Sequence, residues 1–384
     1  MKNRPLVLAS SVVCAALVFA SVADADPLAM PAMTGPLQGN SKPMAFDTGP
    51  FGKVYLTGAF SGLAFHQDNV SPGDRGSLAD LSNGQIFIQK TDGPIQFFVQ
   101  AGAYSLPDLG TAYLRASKAT GGFYGGVPQA FIKFAPSDTF SIMAGKLPTL
   151  MGAEYTFSFE NMNIERGLLW NQENAVNRGV QANYAKGPLT VSASWNDGFY
   201  SKRYNWLSTS IAYAINPSNT ITFVGTGNTS STARSSLATP LVQNNEQLYN
   251  LIYTYTSGPW TVTPYLQYTR VPQDTALGIV HSASTLGAAL LGKYSFNDKF
   301  SLAARVEYIG STGSVANGAP SLIYGPGSNA WSFTITPTYQ RGIFFARAEF
   351  SYVGANGTTP GFALGPFATK TTQSRAMLEA GVLF

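Results

Sequence analysis

The sequence predicts an all-β fold: a transmembrane antiparallel β-barrel of about 16 strands, with short periplasmic turns and long extracellular loops. Three observations carry this expectation. From Lys53 to Phe384 apolar residues recur at period two rather than 3.6. The joins between these stretches alternate between tight turns and long polar loops. Charged residues make up 11% of the chain and aromatic residues 13%, against about 25% charge in an ordinary soluble domain, so much of the outer surface cannot be charged.

The N-terminus is read apart from the fold. Lys2 and Arg4 form a basic head, Leu6 to Val22 an apolar run and Ala23-Asp24-Ala25 an A-x-A cleavage site, the marks of a secretory signal peptide over residues 1–25. Cys14 lies inside the apolar run after Val13, which does not fit a lipoprotein site. Cleavage removes this one cysteine, and with it any disulfide, thiol nucleophile or Cys-ligated metal. Export excludes a cytosolic enzyme, and the lack of a later apolar run near ~18 residues excludes a helical membrane protein. The chain has 24 basic and 20 acidic residues and no basic patch interleaved with aromatics, so nucleic acid is not an expected partner. Residues 26–52 carry Pro27, Pro31, Pro36, Pro43 and Pro50 with no period, and read as a flexible periplasmic lead-in; a plug is the alternative.

The strands then follow in order over 53–384. QIFIQKTDGPIQFFVQAGAY turns at Asp92-Gly93, and AFIKFAPSDTFSIMAG turns at Pro136 to Thr139. Further hairpins turn at Lys186-Gly187-Pro188, Asn216 to Asn219, Ser257-Gly258-Pro259, Asn297-Asp298 and Arg341-Gly342. Seven hairpins plus a single strand at each end make sixteen strands, most of them long enough to cross a bilayer at a barrel's tilt. Eight longer loops join them, including 66–83, 105–126, 228–246, 311–328 and 353–373.

The two faces of a strand show which one meets lipid. Trp331, Phe333, Ile335, Pro337 and Tyr339 alternate with Ser332, Thr334, Thr336, Thr338 and Gln340. Trp260, Val262, Pro264, Leu266 and Tyr268 likewise alternate with Thr261, Thr263, Tyr265, Gln267 and Thr269. Aromatics at both ends of the apolar rows match the girdles of a membrane barrel. A secreted β-sandwich or lectin-like protein has the same period with the polar face outward; scarce charge, the girdles and the lack of cysteine favour the barrel.

The chain ends on MLEAGVLF, apolar on alternate residues up to Phe384. A closed barrel explains this, because its last strand is paired on both edges. The ending resembles the C-terminal strand of bacterial outer-membrane proteins, which implies that Phe384 belongs to the signal read by the barrel assembly machinery. The segments AGKLPTLMGAE and NRGVQANYAKGPLTVSASWNDGFY, with the long loop between them, are similar to the OmpL-like β-barrel porin family. That resemblance implies passive diffusion of small solutes across the bacterial outer membrane, no enzyme activity, and no cofactor.

Candidate functional residues fall into two groups. The longest loop, Leu147 to Asn177, holds Glu154, Glu160, Glu165, Arg166 and Glu173 among Met151, Phe157, Phe159, Leu168, Leu169 and Trp170, and is too apolar to hang in solvent. It is expected to fold inward as a constriction; an extracellular cap is the alternative. Strand parity puts Lys133, Lys293, Arg305, Glu307, Arg347, Glu349, Arg375 and Glu379 on the pore wall, since a Lys or Arg facing midplane lipid costs about 2 to 4 kcal/mol. Opposite charges among them are expected to form a ladder across the closing strands. His66 and His281 stand near the extracellular ends without clustered carboxylates and suggest no metal site.

The expected function is therefore a water-filled outer-membrane channel for small hydrophilic solutes or ions, with outer-membrane lipid and lipopolysaccharide as surroundings. The outward row Val54, Leu56, Gly58, Phe60, Gly62 and Ala64 is low in bulk and suits a homotrimer contact. The competing expectation is a non-conducting structural or adhesive barrel that binds through its loops.

Overall fold

In the computed structural model, which describes residues 37–384, strand follows strand with helical turns only in the loops. The expected signal peptide and the first part of the lead-in lie outside the described residues. The strands are β1 (Met44–Asp47), β2 (Lys53–Gln67), β3 (Ser77–Lys90), β4 (Ile95–Tyr104), β5 (Gln129–Ser137), β6 (Phe140–Pro148), β7 (Val176–Lys186), β8 (Leu189–Asn196) and β9 (Trp206–Asn216). They continue as β10 (Asn219–Asn228), β11 (Gln247–Ser257), β12 (Trp260–Val271), β13 (Ala283–Ser295), β14 (Phe300–Ser311), β15 (Asn329–Arg341), β16 (Phe344–Asn356) and β17 (Thr372–Leu383).

Strands β2 to β17 form a closed antiparallel ring of sixteen, each paired with its neighbours in sequence and β17 with β2. Short turns and long loops alternate around it at the places the sequence marks. Gly93, Gly187, Gly258 and Gly342 in the short turns all take positive φ, the conformation that tight hairpins require. The outward rows are apolar and exposed, among them Trp260, Leu266, Trp331 and Phe333, while Thr263, Gln267, Thr334 and Thr336 face inward and are buried. This inversion of the usual soluble pattern is what lipid outside and a polar interior demand.

Two expectations need correction. Several strands run further into the extracellular side than the period suggests: β2 ends at Gln67, β3 begins at Ser77 and β16 reaches Asn356. Their polar ends still pair their backbones, and the β2–β3 register carries an irregularity between Ser61 and Gly62. The lead-in, expected to lack structure, contains β1, which pairs with Lys53–Leu56 of β2. Its reason is local. β17 stops at the chain end, leaving that part of the β2 edge open, and β1 folds back to fill it. Beside it Gln38 exchanges two hydrogen bonds with Gln340, at 2.9 and 2.7 Å, across the periplasmic mouth.

The seam explains the terminal aromatic. Phe384 and Gly58 exchange backbone hydrogen bonds of 3.0 and 2.8 Å. The Phe384 ring lies over Gly58 so closely that a Cβ there would stand 2.4 Å from its Cζ. The absent side chain of Gly58 is the seat of the last residue.

Candidate functional site: the loop within the barrel

The long loop between β6 and β7 lies inside the barrel. From Leu147 to Asn177 every residue is buried except Asn171, which is half-buried. One flank is apolar. Phe157 and Phe159 stack with ring centroids 6.0 Å apart, Phe159 packs on Phe87 of β3 at 5.7 Å and Phe157 on Tyr104 of β4 at 5.1 Å. Near the extracellular side Met151 packs with Phe199, Trp206, Val224 and Leu248. These are the loop residues whose apolar character argues against a solvated loop.

The other flank is charged and faces β14 to β17. Arg305 Nη1 donates to Glu154 Oε1 at 2.6 Å and to the Glu165 carbonyl at 2.7 Å, while its Nε lies 3.2 Å from Glu307. Glu307 accepts the successive amides of Leu168 and Leu169 at 3.0 and 3.3 Å. Glu349 does the same for Ile164 and Glu165 at 2.6 and 2.8 Å. Two wall carboxylates thus grip loop backbone, where a loop without regular pairing has amides to spare. Gly167 permits the first grip: a Cβ there would fall 2.0 Å from Glu307 Oε1.

Arg347 binds Glu379 through Nε at 3.0 Å and again through Nη2. It also donates to the carbonyls of Ser158 and Asn161, each at 3.0 Å. Ser158 Oγ donates to Glu379 at 2.9 Å. Arg375 pairs with Glu165, and its Nε donates to Gln67 at 2.8 Å. Arg166 turns away from the wall to Asp108 of the β4–β5 loop, at 2.9 and 2.6 Å, and lies over the Trp170 ring.

The structure therefore groups Arg305, Glu307, Arg347, Glu349, Arg375 and Glu379 against the loop around Glu154 and Glu165, and leaves Arg166 apart from them. It does not form the expected ladder along the seam. Arg347 and Glu379 stand directly opposite, but Glu349 faces Met377 and Arg375 faces Ser351, so these two turn to the loop instead. Lys133 on β5 is buried away from the cluster, and Lys293 lines a small cavity at the periplasmic mouth with Leu37, Asn161, Met162 and Gln340.

Glu160 accepts the Phe157 amide at 3.1 Å, and burial pushes its carboxyl up from 4.5 to about 8. Glu173 is raised well above the carboxylate range by burial, then by repulsion from Glu154 and Glu307. His66 Nδ1 is 2.8 Å from Ser77 Oγ on an exposed part of the wall. Among the described residues no group of three or more His, Cys, Asp or Glu side chains is placed to hold a metal ion. Sequence reasoning missed Asp108, a lone aspartate in a mixed loop with no pattern to mark it, and the loop carbonyls that hold Arg347.

Residues 53–384 match the family model described as "Putative beta-barrel porin-2, OmpL-like". The chain belongs to this porin family. It is a porin of the bacterial outer membrane, a barrel that forms a channel for solute diffusion. Solved structures share the fold. OmpT of Vibrio cholerae aligns at 13% identity over 89% of this chain and 100% of its own, TM-score 0.57. An anion-selective porin from Comamonas acidovorans aligns at 10% identity over 86% and 99%, TM-score 0.58. The outer-membrane channel DcaP of Acinetobacter baumannii aligns at 10% over 86% and 97%, TM-score 0.59. No curated protein matches the porin chain in sequence.

Proposed function

We propose that this porin passes small, mainly uncharged hydrophilic solutes along the β5–β11 side of its lumen, with the Leu147–Asn177 loop as the constriction. The observation that carries this is the disposition of charge. Glu154 and Glu165 of the loop are spent on Arg305 and Arg375, and Arg347 is spent on Glu379 of the neighbouring strand. The lumenal side of β5 to β11 carries mostly hydroxyls and amides, such as Gln181, Ser192, Thr222 and Thr254, beside two charged groups, Lys133 and, just before β11, Glu246. Such a wall exchanges hydrogen bonds with a polyol or amide solute and offers little field to select ions.

The small-residue row on β2 supports a homotrimer, and the terminal strand supports recognition by the barrel assembly machinery. No catalytic residue enters the reading; the enzyme class is tested by assaying His281→Ala for any lost lipase or protease activity. The channel itself is tested by planar-bilayer recording of refolded residues 26–384 under a salt gradient. Small unitary steps with a reversal potential near zero, together with swelling of proteoliposomes in neutral sugars, are the expected result. A silent membrane from folded protein would sink the channel reading in favour of an adhesive barrel, and strong ion selectivity would sink the assignment of the path.

A further inference from the structure

Parity sends Lys146, Arg178 and Arg270 outward, and two of them meet. Lys146 on β6 and Arg178 on β7 share the outward face with Ile142 and Val180, not the lumen, and stand directly opposite each other in the β6–β7 register. Like charges at such a position are destabilising unless something between them compensates. They lie near the extracellular ends of their strands, at the level where an outward cation is tolerated and where lipid headgroups begin.

The surroundings compensate only in part. The Tyr200 ring lies between them, 3.7 Å from Arg178 Cζ and 5.7 Å from Lys146 Nζ. Asp197 pairs with Arg178 at 2.7 Å and accepts the Lys202 amide at 3.0 Å, which curls the β8–β9 loop over the pair. That loop then presents Lys202 and Arg203, both exposed. Lys146 itself donates to the Val127 carbonyl at 2.7 Å, so Asp197 remains the carboxylate paired within the group. Next to these cations Trp195 is 57% exposed on the outward face and donates from its indole to the Tyr204 carbonyl at 2.8 Å. On the extracellular side between Gly93 and Glu246 every other carboxylate is buried or ion-paired; Asp138 is exposed but sits at a periplasmic turn.

We infer that Lys146, Arg178, Lys202 and Arg203, with Tyr200 and Trp195, form a headgroup site for a phosphorylated glycolipid of the outer leaflet. Charge complementarity supplies the argument: a cationic group next to an interfacial indole, on the lipid side of the wall, fits an anion whose acyl chains lie along the barrel below it. The inference rests on the outer-membrane orientation with long loops outward, and not on the solute path.

Native mass spectrometry of the refolded mature chain in detergent tests it, with bisphosphorylated lipid A, dephosphorylated lipid A and inorganic phosphate as probes. The expected result is retention of bisphosphorylated lipid A and none of the dephosphorylated form. The exposed double variant K202Q/R203Q should weaken retention about thirtyfold at low salt, from about fivefold per surface cation, and K146Q should weaken it in the same direction. Unitary conductance should not change in K202Q/R203Q, which separates this site from the channel. Equal retention by wild type and double variant, or of lipid A without phosphates, overturns the inference. Inorganic phosphate binding as tightly as the lipid overturns the lipid source and leaves a free-anion site.

Discussion

Replacing Arg347 with alanine removes one clamp on the loop while leaving the barrel's strand pairing intact. The guanidinium binds Glu379 on β17 and donates to the Ser158 and Asn161 carbonyls of the loop. Its loss leaves Glu379 buried with the Ser61 and Ser158 hydroxyls as donors, and leaves the two loop carbonyls without Arg347. Breaking a buried ion pair by deleting one partner costs about 3 to 5 kcal/mol. At about 1.4 kcal/mol per tenfold, the seated loop should lose a hundredfold to a few thousandfold of its preference over the displaced one. The backbone ladder from Phe344 to Gly354 does not involve the side chain, so the barrel should persist. The assay is unitary conductance of R347A beside proteolysis of the loop, with unheated electrophoretic mobility to verify the folded barrel. Larger, flickering steps and faster loop cleavage are expected, and the double variant R347A/E379Q should recover part of the loss because it removes the orphaned charge as well. Unchanged conductance and unchanged loop protection in a folded R347A barrel would refute the claim that these contacts hold the loop in the lumen.

Other consequences follow from the same geometry. Gly58→Leu puts a side chain where the Phe384 ring sits, 2.4 Å from a Cβ, so the refolding yield of heat-modifiable barrel should fall, with little further loss on adding Phe384→Ala. Burial raises Glu160 to about 8 from an unfolded 4.5, so the seated loop holds a proton that the released loop gives up. Its stabilisation is full below about pH 4.5 and is lost as the pH rises to about 8; loop proteolysis should therefore quicken over that window, and Glu160→Gln should flatten the dependence. Lys133→Gln removes a cation from the β5–β11 wall and should shift the reversal potential toward cations, a change that a path elsewhere in the lumen would not produce.

Much of the fold was legible because a barrel writes itself locally. Period two, positive-φ glycines at the turns and the girdle aromatics each need only a few adjacent residues to be read, and Phe384 announces closure because an unpaired last strand has no reason to be apolar to its end. The loop's apolar content argued against solvent for a similarly local reason. What could not be read is which charge meets which. Parity names the wall residues, but the partners of Glu349 are the amides of Ile164 and Glu165, and an amide carries no sequence signature. The cations on the lipid side escaped for the opposite reason: Lys146 and Arg178 break the parity rule, and only the loop folded over them shows why the breach is tolerated.

These two kinds of information correspond to two separate stabilities. The wall is held by backbone pairing of sixteen strands, and closure leaves no edge from which it can fray. The loop has almost no regular pairing of its own and is held by side chains of the wall reaching its backbone, in clamps that are buried and charged. Such contacts contribute little net stability, because desolvation offsets most of the attraction, but they strongly disfavour any position in which a charge is left without its partner. A loop held this way keeps one geometry while its amides and carbonyls are satisfied, and yields as a unit when one clamp is released. The barrel around it is indifferent to either state, so variation in the clamps can reset the loop without endangering the fold.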